Sequence, residues 1–203
     1  MKRILIFALA LGLLVGGTAL AISRDEASDL AAAYVPEDAV PLKVEKDDGN
    51  FEGKYISADK SERYSVEIDG ADGVVLEFER EIMIAGPETT IELDDASILA
   101  FIQGMYPDAE LLSTYADDID EIKAYFSNAD GIFGMVEIDA RSGAIDEIKV
   151  YFDAPTAEGE LSRADILREL EAQMPGCTVL SIEYDYDDGM SVYDGDALYN
   201  GMK

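Results

Sequence analysis

The side chains able to do chemistry in this chain are nearly all carboxylates. Forty-four Asp and Glu stand against 15 Lys and Arg in 203 residues, with one cysteine, Cys177, and no histidine. Without an imidazole there is no usual base for a serine or cysteine nucleophile, and no HExxH zinc site. Cys177 alone can build neither a thiolate metal site nor an internal disulfide, and is expected as a buried or half-buried small apolar residue. Two acidic spacings remain. Asp185-Tyr186-Asp187-Asp188-Gly189 begins like a calcium loop, but its glycine falls fifth rather than sixth and no glutamate stands twelfth. It reads as an acidic hairpin turn. Asp117-Asp118 offers paired carboxylates of the kind that cleave glycosides, yet in so acidic a chain such pairs arise by chance. The sequence therefore points away from an enzyme, with no cofactor, catalytic residue or metal site assigned.

The charge narrows the partners. A formal net charge of −29 argues against nucleic acid, whose binding needs Lys and Arg to neutralise phosphates. It argues equally against anionic membrane surfaces. A cationic partner, cations from the medium, or an acidic surface suited to solubility are the readings left.

The chain opens with Lys2 and Arg3, an apolar run from Ile4 to Leu20, and the small residues GGTALA. Ala19-Leu20-Ala21 fits the A-x-A cleavage rule, so residues 1–21 are predicted to be a secretory signal peptide. The alternative is an uncleaved anchor. No cysteine near the site allows a lipid anchor. Cleavage removes Lys2 and Arg3 and no acid, taking the net charge from −29 to −31. The expected location is secreted or in the cell envelope, with no membrane contact after cleavage.

Repeats set the organisation. Val66-Glu67-Ile68-Asp69 recurs as Val136-Glu137-Ile138-Asp139, and Gly73 recurs as Gly143, both 70 residues on. Asp47-Asp48 recurs as Asp117-Asp118 and Asp187-Asp188, with Gly49 and Gly189 following the first and third pairs. Amphipathic segments end at Pro36, Pro107 and Pro175. Each unit opens on a helix signature. Ser23 with Glu26, and Ser162 with Asp165, form capping-box patterns ahead of apolar stripes. The stripes are Ala27, Leu30, Ala31 and Tyr34; Ile98, Leu99, Phe101, Ile102 and Met105; and Ile166, Leu167, Leu170 and Met174. Two-residue alternation then predicts strands, with earlier ones at 40–46, 52–58, 109–116 and 120–127. Tyr64, Val66 and Ile68 lead through Gly73 to Val74, Leu76 and Phe78, and the same device precedes Ile145–Ile148. One face of every sheet is expected to be apolar and the other strongly acidic.

The predicted fold is α+β, in tandem units that each pack one helix on a small antiparallel sheet. The expected boundaries are 22–84, 91–153 and a partial third unit at 160–203, joined by the linkers 84–90 and 153–160. Two periods on from Val66 falls beyond Lys203, so the third unit is expected to be a truncated copy. An apolar face around Leu180, Ile182 and Tyr184 would then lack cover.

A helix, then strands, then a hairpin of the form Y-x-V-x-I-D-x-x-x-G followed by valine resembles the PepSY domain. Tyr64, Val66, Ile68, Asp69, Gly73 and Val74 carry the likeness in the first unit. Val136, Ile138, Asp139 and Gly143 carry it in the second, where Gly134 replaces the tyrosine. The resemblance covers nearly all of 22–153 and part of 160–203. It implies structural motif residues rather than a catalytic set, and a role in inhibiting or regulating an extracellular peptidase, here necessarily in trans. The rival expectation is an acidic envelope module that binds cations or cationic ligands without a protease target. Neither reading sets an oligomeric state.

Overall fold

The computed structural model describes residues 21–47, 49–128, 132–152, 162–179, 182–187 and 190–199. The predicted signal segment up to residue 20, the linker 153–160, Asp48, Leu180, Asp188, Gly189 and the last four residues lie outside them. Two compact units divide the chain, Met1–Ile84 and Ala85–Lys203.

In the first unit, α1 (Arg24–Ala32) starts on the capping box expected from sequence. The Glu26 N–H donates to Ser23 Oγ at 3.2 Å, and the Ser23 N–H donates back to Glu26 Oε2 at 2.8 Å. Four antiparallel strands follow in sequential order, β1 (Val40–Asp47), β2 (Asn50–Ile56), β3 (Glu62–Ile68) and β4 (Val75–Ile82). Strand alternation puts Phe51, Tyr55, Tyr64, Val66, Ile68, Phe78 and Ile82 in the core. The helix packs there through Ala27 and Ala31, both fully buried, while Leu30 is 37% exposed. Small side chains let the helix sit close. A β-carbon on Gly53 would lie 2.8 Å from that of Ala31, and the Tyr55 hydroxyl reaches the Ser28 carbonyl at 3.2 Å.

In the second unit, α2 (Asp95–Met105) is capped by Asp94, whose carboxylate accepts the Ser97 N–H at 2.8 Å. Strands β5 (Glu110–Asp118), β6 (Glu121–Ser127), β7 (Phe133–Asp139) and β8 (Ile145–Tyr151) form a second sequential antiparallel run. Next come α3 (Arg163–Gln173), β9 (Thr178–Val179), β10 (Glu183–Asp187), β11 (Met190–Asp194) and β12 (Ala197–Leu198). β10 pairs with β11, and β9 with β12.

The expected fold class needs correction. Separate small sheets, one per tandem unit, are not what forms: β1–β8 belong to one eight-stranded antiparallel sheet, accompanied among the described residues by three short α-helices. Alternation assigns residues to strands and faces. It does not say which strand lies beside which, because the N–H and C=O groups of a sheet edge accept any further strand alike.

The expectation of an uncovered face is corrected at Ile182, while Leu180 and the Tyr184 side chain lie outside the described residues. Ile182 is 2% exposed and joins Val179, Tyr125, Phe133 and Met135 in one apolar cluster, against which Ile166, Leu167 and Leu170 of α3 pack. The same contact overturns the idea of a wholly acidic second face. Register pairing of Tyr125 with Met135, and of Phe133 with Tyr151, puts these residues opposite the Ala124, Val136, Ile148 face. Their rings step across four strands, Tyr115 to Tyr125 at 6.1 Å, Tyr125 to Phe133 at 5.9 Å, and Phe133 to Tyr151 at 6.2 Å. Buried Arg163 at the head of α3 lies 5.4 Å from the Tyr151 ring and 5.7 Å from that of Tyr193.

Candidate functional site

The recurring hairpin is the natural place to look for function, and its residues turn out to build a turn. In the first copy the Asp69 carboxylate accepts the Ala71 N–H at 2.6 Å, while the Asp69 N–H and C=O bond to Val74 and Gly73. Gly73 takes φ +81°, a conformation that a β-carbon resists. In the second copy the Asp139 carboxylate accepts the N–H groups of Arg141 and Ser142 at 3.0 and 2.7 Å, and Gly143 takes φ +71°. Bonds from Ser142, first its hydroxyl and then its N–H, hold the Asp139 carboxyl below the usual aspartate range. Tyr64, Val66, Ile68, Val136 and Ile138 are all buried in strand interiors. The motif is a hairpin-closing device, and each Asp–Gly pair is brought together within its own turn.

Each turn is also pinned by the segment preceding a helix. The Ile22 N–H donates to the Gly70 carbonyl at 2.9 Å, and the Ile91 N–H donates to the Gly143 carbonyl at 2.8 Å. The second contact is tighter. A β-carbon on Gly143 would fall 2.0 Å from the Ile91 carbonyl oxygen.

Gly134, the departure from the motif, has a physical explanation. A β-carbon there would sit 2.3 Å from the Phe126 ring, which is fully buried and stacks on Tyr106 at 5.5 Å. The aromatic bulk that β3 supplies with Tyr64 comes from the neighbouring strand in the second unit.

The carboxylate candidates resolve into ion pairs. Asp117 accepts from Lys123 at 2.7 Å, and Glu121 lies 2.9 Å from the same ammonium. The lysine bond holds the Asp117 carboxyl below its usual value. Burial alone would pull Lys123 down, but its bonds to Asp117 and Glu121 outweigh that and raise it. Asp118 instead accepts the N–H of Ile119 at 2.6 Å. Across β7 and β8, Glu137 stands directly opposite Glu147. Burial, then the charges of Glu121 and Glu147, push the Glu137 carboxyl up. Among the described residues no group of three or more acids or thiols is arranged to hold a metal. The calcium-loop side chains at Asp185 and Asp187 lie outside the described side chains. Cys177 is half-buried and packs against the Val179–Ile182 cluster.

No family model, curated protein or solved structure matches this chain. Its function has to be argued from its own residues. One of them escaped the sequence reading. Ile119, at the tip of the β5–β6 hairpin, is 87% exposed. The signal was present, since it occupies the position that Gly49 and Gly189 hold in the other copies.

Proposed function

We propose that this protein is a secreted, non-enzymatic module of PepSY type that binds an extracellular peptidase in trans and restrains it. One observation carries the reading: the D-x-x-x-G hairpin behind the resemblance is built twice with the same aspartate-capped, glycine-closed turn. A chain with no histidine and one half-buried thiol offers no conventional nucleophile pair of its own, which favours a binding role.

The test is a titration of the purified chain against the secreted metallopeptidases of its host, following cleavage of a peptide substrate. Slowed cleavage at micromolar protein, with the chain left intact, is the expected result. Unchanged rates across the series would remove the reading.

A second reading, an acidic envelope module for cations, draws on the directly opposed glutamates Glu67/Glu77 and Glu137/Glu147. It expects millimolar calcium to raise the melting temperature beyond the effect of sodium at equal ionic strength.

A further inference from the structure

We propose that Ile119 is the anchor with which this chain engages its peptidase, entering an apolar pocket whose rim carries Lys or Arg. The inference rests on the peptidase reading above and names the contact that reading leaves open.

Among the described residues Ile119 is the most exposed large apolar side chain, at 87% against 63% for Ile84, the next. A side chain so exposed adds almost nothing to the core. Nor does the turn call for it. The first copy closes the corresponding hairpin with Gly49 at φ +102°, whereas Lys60 is the one non-glycine residue with positive φ among those described. The β5–β6 hairpin thus adopts a different turn, one that a β-branched residue tolerates, and presents that residue at its tip.

The tip is held in place before any partner arrives. The Ile119 N–H donates to Asp118 Oδ1 at 2.6 Å, and the Ala140 N–H donates to the Asp120 carbonyl at 2.8 Å. Arg141 lies 3.0 Å from the Asp120 carboxylate, and Lys123 bridges Asp117 and Glu121 on the flanking strands. A loop fixed in this way loses little conformational freedom on binding, which favours an apolar anchor at its apex.

Charge selects the pocket. Asp117, Asp118, Asp120 and Glu121 flank the isoleucine along the hairpin, with Lys123 and Arg141 as the cations paired to them. The rim is net negative, so a cationic border on the partner would be attracted and an acidic one repelled. The exposed Val40 and Leu42 of β1 make a weaker candidate, because Pro41, Lys43 and a register shift at that point blunt the edge.

The experiment compares the full chain with Ile119→Gly, Ile119→Asp and Ile84→Asp as inhibitors of the host's secreted metallopeptidase fraction. Both Ile119 variants should bind about tenfold more weakly or worse, as expected of an anchor residue. They should melt at the wild-type temperature, and Ile84→Asp should inhibit like wild type. Raising salt should slow association by wild type. Equal inhibition by wild type and Ile119→Asp would overturn the anchor while leaving the peptidase reading intact. Absence of inhibition by wild type would remove both.

Discussion

Glu62 and Arg80 join β3 to β4 through two charge-assisted hydrogen bonds, Arg80 Nε to Glu62 Oε2 at 2.9 Å and Nη2 to Oε1 at 2.6 Å. Their side chains are 19% and 17% exposed, and the Tyr64 hydroxyl donates to the same carboxylate at 2.5 Å. The motif tyrosine therefore ends on an ion pair rather than in solvent.

Removing the cation from this pair should be costly. Burial pushes the Glu62 carboxyl up, but the bonds from Arg80 and Tyr64 more than offset it and hold it below the usual glutamate range. A folded-state value below the unfolded one contributes stability above the unfolded value, lost as pH falls through the folded one. Arg80→Ala leaves a half-buried carboxylate without its cation and should cost about 2 kcal/mol near neutral pH. Urea unfolding at pH 7 measures this, and a loss below about 0.5 kcal/mol, the level of an exposed pair, would contradict it.

The two turn glycines should respond unequally to alanine. Gly73→Ala meets the flexible end of Leu30 at 3.1 Å and bears mainly the left-handed backbone cost, about 1–2 kcal/mol. Gly143→Ala bears that cost and also collides with the Ile91 carbonyl, so its loss should reach about 3 kcal/mol or more. Thermal melts that rank the variants the other way would show that the Ile91 contact yields easily.

Phe126 and Gly134 should behave as one unit of volume. Gly134→Tyr alone overpacks β7 against the ring and should destabilise by about 3 kcal/mol, and Phe126→Ala alone opens a cavity of similar cost. Combined, they move the aromatic ring to the position it has in the first unit. The double variant should recover about half of the summed loss, read from a double-mutant cycle. Strict additivity would exclude the exchange.

Glu137→Gln should stabilise the protein near neutral pH. Burial and the charges of Glu121 and Glu147 raise the folded-state value of Glu137 above its unfolded one. Its favourable contribution is then present below the unfolded value and lost as pH rises through the folded one. The variant should melt about 2 °C higher at pH 7, with the gain vanishing near pH 4, where the native carboxyl is itself protonated. An equal gain at both pH values would point to packing rather than charge.

Much of this architecture is local, and what is local was legible in the sequence. Ser23 with Glu26 and Ser162 with Asp165 cap their helices because donor and acceptor lie three residues apart. Gly73 and Gly143 close their hairpins because the turn demands positive φ at a fixed offset from an aspartate. Alternation at Tyr64, Val66 and Ile68 put those side chains on the buried face. Relations between distant segments were not legible. That β1–β8 share one sheet depends on which edges meet, and backbone edges carry no residue-specific label. The Phe126–Gly134 exchange and the cover of α3 over Phe133, Met135 and Tyr125 depend on volumes that become adjacent only in the folded chain. Glu62 finds Arg80 eighteen residues away because the β3–β4 register puts the two strands side by side, and pairing register is a tertiary choice.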